Sequence, residues 1–199
     1  MGFFTSSRLN ERKVGKDMIT QLKSKNSKTL IIHYSCESFF NLNGRTPRVT
    51  SICVKNRGNN TTKTFSIHIQ AQIAQKELCC ITDQDYDILE KQMLRNFFAF
   101  LKKHLTYYWV HWNMRNASYG FEAIANRYRI LGEHPKEIED QFKIDLPEIL
   151  GKVYTYSFEK HKPDGQLLNL SNHNNITTRD ALKGKDEAEA FDNREYLMS

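Results

Sequence analysis

The sequence predicts an α/β domain built on a mixed sheet, and three observations carry that prediction. Thr29–Ser35 is a short apolar, β-branched run that ends in polar residues, as a buried central strand does. Two more strand-like runs follow it across short turns, so the first three strands form an antiparallel meander. A long amphipathic helix then leads to a fourth, aromatic run. A crossover of that kind is what a strand parallel to the first requires.

Taken in order, residues 1–27 are a polar, basic N-terminal arm in which Asp17–Lys25 has helical spacing, and residues 28–199 form the main domain. The second strand is Val49–Lys55. Arg57-Gly58-Asn59-Asn60 forms the turn after it, since Gly and Asn tolerate positive φ. The third is Lys63–Ile69, where Phe65, Ile67 and Ile69 alternate with polar residues. Asp83–His104 is the clearest helix: acids open it, Lys102, Lys103 and His104 close it, and Ile88, Met93, Leu94, Phe97 and Leu101 form its apolar stripe. Tyr107–Trp112 is the fourth strand, and Tyr119–Leu131 is a helix closed by Gly132. Ile144–Gly151 and Gln166–Asn174 have helical patterns. A last helix starts near Thr178 and runs to Phe191.

Composition bounds the function classes. The net charge of +6 and pI near 9.1 suit a phosphate-rich partner. Cys79 and Cys80 are adjacent and no CxxC pair exists, which points away from a closed zinc site or a disulfide framework and toward a reducing, cytoplasmic compartment. No apolar run reaches membrane-spanning length, so no membrane partner is expected. Met1-Gly2-Phe3-Phe4-Thr5-Ser6 formally fits the N-myristoylation pattern. No Walker loop, GxGxxG or HExxH occurs.

Chemistry belongs at the carboxyl ends of the central strands. Glu37 follows the first strand, and His111, Trp112 and Asn113 end the fourth, so these four are expected to share a crevice. There Trp112 can stack a base and Arg115 can contact a phosphate.

The order of elements is that of the ribonuclease H-like fold: three antiparallel strands plus a parallel strand, flanked by helices. Over residues 28–191 the flanking texture resembles the DEDD family of 3′–5′ exonucleases. Ser35-Cys36-Glu37-Ser38 stands at that family's Asp-x-Glu motif, and Pro47-Arg48-Val49 opens the second strand. His111-Trp112-Asn113 with Tyr119-Gly120-Phe121 matches the second motif, and Asp145-Leu146 through Arg179-Asp180-Ala181-Leu182 the third. The resemblance implies two clustered Mg²⁺ or Mn²⁺ ions held by carboxylates. It places the first acid at Ser35, keeps Glu37, puts the second acid at Gly120 and the general-base histidine at Arg179. The last acid falls at Gly184 or, with a short slip, Asp186.

The expectation is therefore a DNA- or RNA-binding, exonuclease-like module with a degenerate metal site, in which Arg179 holds a phosphate. One alternative is an active metal-dependent nuclease with rearranged ligands, Glu37, Glu122 and Asp145 with Asp186, joined by His33 or His111. The other is a protein-interaction subunit on the same scaffold, or a chain whose site a protein partner completes.

Overall fold

Strand β1 (Thr29–Cys36) lies at the centre of a five-stranded mixed sheet flanked by helices. The structure is a computed structural model that describes residues 2–38, 42, 44–115, 119–178 and 181–195. The other strands are β2 (Val49–Asn56), β3 (Thr62–Ser66), β4 (Tyr108–His111) and β5 (Lys143–Asp145), in the order β3-β2-β1-β4-β5. β2 runs antiparallel to β1 and β3, while β4 runs parallel to β1 and β5. The helices are α1 (Gly2–Ser24), α2 (Ile67–Ile73), α3 (Asp83–Lys102), α4 (Phe121–Ile130), α5 (Leu146–Val153), α6 (Gln166–His173) and α7 (Gly184–Asp192).

The alternation along β1 and β4 divides the core in two. Leu30, Ile32, Tyr34 and Trp109 pack with Leu89, Met93, Leu94, Phe97 and Leu101 of α3, with Ile124 and Tyr128 of α4, and with Phe191 of α7. Val110 and Ile144 point to the opposite face and pack with Leu22 of α1 and with Ile149 and Val153 of α5. The basic arm is thus one long helix seated on the sheet. It sits close enough that a Cβ on Gly15 would meet Val153 Cγ2 at 2.8 Å.

Several elements differ from their sequence expectations. The run Ile67–Ile73 is helical, because at helical spacing Ile67, Gln70 and Ala71 are buried together, whereas strand alternation would have turned Ile67 and Ile69 to one face. A short fifth strand precedes α5, and Pro147 fits the first turn of that helix, where its missing N–H is no loss. α7 begins at Gly184; the expected start near Thr178 borders residues 179 and 180, which lie outside the described residues. On α3, Thr82 caps the helix in a reciprocal box with Asp85, and Met93, Leu94, Phe97 and Leu101 of the expected stripe are buried, but Ile88 is not. Ile88 is 60% exposed, and Glu90 is fully buried at 0%.

Glu90 is inside because three N–H groups meet it there. Val49 N–H donates to Oε1 at 2.7 Å, and Arg127 Nε and Nη2 lie 2.8 and 2.7 Å from Oε2. Val49 sits at a β-bulge where Ser35 pairs with Ser51 but Cys36 pairs with Val49. Arg127 also donates to Asp87, at 2.5 Å, and Arg48 spans Asp83 and Asp87 while lying over the Tyr86 ring. This network joins β2, α3 and α4. Burial pushes the Glu90 carboxyl upward, and Arg127 opposes it. Arg127→Met strands the carboxylate and is expected to lower stability by about 3–5 kcal/mol. Adding Glu90→Gln should recover part of that loss, because no buried charge remains. Urea denaturation of both variants measures the difference.

Candidate functional site at the carboxyl end of the sheet

The carboxyl ends of β1 and β4 are joined by the chain between them. After His111 the backbone turns back, with Asn113 at φ 55°, and Arg115 forms an isolated bridge with Gly120. Gly120 N–H donates to Tyr34 Oη at 2.9 Å, and Tyr119 stacks on Tyr34 with ring centroids 4.7 Å apart. The crevice therefore has two halves that meet at Gly120.

The β4–β5 half is organised by Asp145. Its Oδ1 accepts the Asn113 N–H at 2.9 Å, and Arg115 Nε lies 2.7 Å from Oδ2. His111 is buried, set edge-to-face against Phe121 at 5.4 Å. Its Nδ1 accepts the Met114 N–H at 3.3 Å, which assigns the proton of the neutral ring to Nε2. Burial, reinforced by Arg115 and Lys143, pushes His111 down to about 4, so the imidazole is neutral 3.5 Å from Asp145 Oδ1. Burial pushes the Asp145 carboxyl up, against the pull of the Asn113 N–H and Arg115. Arg115 also donates to Asn113 Oδ1 at 2.9 Å, and 54% of its side chain faces solvent. Trp112 is half-buried, its ring 6.4 Å from that of Phe158.

The β1 half holds Ser35, Cys36, Tyr119 and Glu187. Ser35 hydrogen-bonds the Glu187 carboxylate, whose proton affinity burial raises. Burial and the charges of Glu187 and Glu37 push the Cys36 thiol up to about 12, so it is no nucleophile. Glu37 turns away toward the β2 side. Arg45 grips both its oxygens, at 2.7 and 2.6 Å, and Arg48 N–H donates to Oε2 at 3.1 Å.

Hydrogen bonds and ion pairs tie His111, Asn113, Arg115 and Asp145 to one another; Trp112 follows His111 in the chain, and Glu37 is bonded to a different segment. Ile31 of β1 lies opposite Val110, so Glu37 is five residues beyond the level of His111 and is tied to the 45–48 segment. The expected metal ligands do not converge either. Glu37, Glu122 and Asp145 are held by three different arginines, Arg45, Arg129 and Arg115. Asp186 is exposed, and the acid that α7 turns inward is Glu187. Helix phase carried that signal: Glu187 shares a face with Ala190 and Phe191, three and four residues on, both buried. Arg179 lies outside the described residues. Tyr34 carries no motif in the sequence, and Tyr119 enters there only as the residue before Gly120 and the start of a helix.

At the second acid position, Gly120 has φ 155°, and a Cβ there would meet the Met114 carbonyl carbon and oxygen at 2.7 Å. No carboxylate fits without moving the backbone. These residues are an unsuitable donor set for a pair of Mg²⁺ or Mn²⁺ ions, which need several unclaimed oxygens at one point. Comparison with protein-family models, with curated proteins and with solved structures finds no match to this chain.

Two outcomes follow. Gly120→Ala should cost about 1–3 kcal/mol by overpacking, measured by thermal or denaturant unfolding. For His111 the folded pKa lies below the unfolded value of 6.5, so the unfolded chain takes up a proton that the folded chain refuses between pH 6.5 and about 4. Its contribution is present above that window and is lost on acidification. Wild type should lose about 3 kcal/mol more than His111→Phe across the window. Groups common to both proteins, Glu90 included, cancel in this comparison.

Proposed function

We propose that the chain is a nucleic-acid-binding module on a ribonuclease H-like scaffold, with the two-metal centre of the DEDD exonucleases replaced by arginine-held carboxylates. What carries the reading is the sheet order β3-β2-β1-β4-β5 with only β2 reversed among the central strands, together with the occupants of its carboxyl end. Where the resemblance calls for clustered free acids, there stand Ser35, Gly120, a Glu37 gripped by Arg45 and, at the last position, Gly184 or an exposed Asp186, while the nearby Asp145 is paired to Arg115. Arg115, ion-paired with the buried Asp145 carboxylate, projects to solvent and leaves a guanidinium face for a phosphate. The net charge of +6 provides the long-range attraction.

The test incubates the protein with labelled single- and double-stranded DNA and RNA across a salt series, in Mn²⁺ and in EDTA. Binding should fall steeply with salt, and Arg115→Ala should weaken it and reduce the logarithmic salt slope by about one. No degradation is expected in either condition. Mn²⁺-dependent degradation lost in Glu37→Gln overturns the degenerate centre; no binding at low salt overturns the nucleic-acid partner.

A further inference from the structure

We propose that the turn between α2 and α3 is a surface site for one thiophilic divalent cation of the zinc and cadmium type, held by the thiolates of Cys79 and Cys80 and the carboxylate of Glu77. The three donors lie within 4.8 Å of one another, with the two sulfurs 3.4 Å apart and Cys79 Sγ 4.0 Å from Glu77 Oε2. A tetrahedral ion with metal–sulfur bonds of about 2.3 Å separates its sulfurs by about 3.8 Å, so small side-chain rotations suffice. Two sulfurs select a soft ion over Mg²⁺ or Ca²⁺.

Exposure gives a second argument. Cysteine is among the most buried residue types, yet both cysteines here are exposed. A disulfide between them is disfavoured, because adjacent Cα atoms are about 3.8 Å apart and an unstrained bridge needs about 4.4–6.8 Å. Chelation makes no such demand.

The turn is also fixed before any ion arrives. Residues Leu78–Cys80 form one 3₁₀ turn, in which Cys80 N–H donates to the Glu77 carbonyl at 3.0 Å. Ile81 is buried at its end, and its carbonyl accepts Arg194 Nη1 at 3.1 Å. The Thr82–Asp85 box follows, and Lys76, just before the turn, is paired to Asp85. Ion-binding energy is thus not spent on ordering the loop. Three protein donors leave a fourth position for water, making the site open and exchangeable, unlike a closed structural zinc site. On binding, two S–H bonds break and two metal–sulfur bonds form. Two protons pass to solvent, and no electron is transferred.

The test uses the full chain, reduced, stripped with EDTA and desalted, then titrated with Cd²⁺ while thiolate-to-cadmium absorption and proton release are followed. The expected result is an endpoint at one ion per chain with two protons released. Cys79→Ser and Cys80→Ser should each weaken Cd²⁺ by at least about tenfold, since even partners outside the coordination sphere are worth that much. Glu77→Gln should weaken binding while keeping the absorption per bound ion, and Cys53→Ser should change nothing. All four positions are outside the buried core, and unfolding curves verify that the variants stay folded. The absence of a saturable band overturns the proposal, as does a band that survives in the Cys79→Ser, Cys80→Ser double variant. An endpoint at one ion per two chains also overturns it.

Discussion

The buried carboxylate of Glu90 is the constraint on which the rest of the structure depends. The β-bulge at the end of β1 and the start of β2 leaves the Val49 N–H pointing into the core, where an unmet donor would cost about 1–3 kcal/mol. Glu90 meets it, and its charge then requires Arg127, which fixes α4 against α3. Arg127 draws in Asp87, Asp87 draws in Arg48, and the Arg48 backbone N–H holds Glu37. A single irregularity in strand register thus propagates through five charged side chains to the edge of the candidate site. Burying ions in this way seldom adds stability over a well-packed apolar alternative. What it supplies here is a fixed relative placement of β2, α3 and α4.

The same chemistry governs the site itself. Carboxylates can serve a metal only if their oxygens are unclaimed and converge, whereas guanidinium groups claim oxygens two at a time and in plane. Arg45 and Glu37 make such a bidentate pair, and Arg115 draws Asp145 into a second ion pair. Each acid is engaged by an arginine, so its charge is met locally. Of the two arginines, Arg115 leaves the more exposed surface, 54% of its side chain against 43% for Arg45.

The sheet was legible in the sequence because its signals are local. β1, β2 and β4 announce themselves by apolar runs, and α3 by its caps and charges. The misses share a different cause. Ile88 and Glu90 exchanged roles because burial of Glu90 is decided by Val49 and Arg127, both 37 or more residues away. Ile67–Ile73 satisfies both a strand and a helix period, and contact with α3 decides between them. β5 is three residues long, too short to show a period. In the site, the grouping of His111, Asn113 and Arg115 is legible because they are sequence neighbours at a strand end. The bonds that hold Glu37 are not legible in the sequence, because its partners Arg45 and Arg48 lie across a loop, and pairing across loops leaves no pattern in composition or spacing.

The N-terminal helix bears on the site through one further chain of contacts. Asp145 is the last residue of β5 and the residue immediately before α5, so the position of its carboxylate follows that of the helix. α5 has eight residues, too few to hold its own orientation in water. Its inward face, Ile149 and Val153, is covered by α1, with Leu22 buried and Met18 and Ile19 packed alongside. Gly15 lets the two backbones approach, and Arg8 donates to the Gly151 carbonyl at 3.1 Å. α1 thereby steadies α5, α5 steadies Asp145, and Asp145 holds the Asn113 N–H and the Arg115 guanidinium. The segment that composition marks as a basic arm is on this account part of the support for the crevice, placed on the sheet face opposite the α3 core.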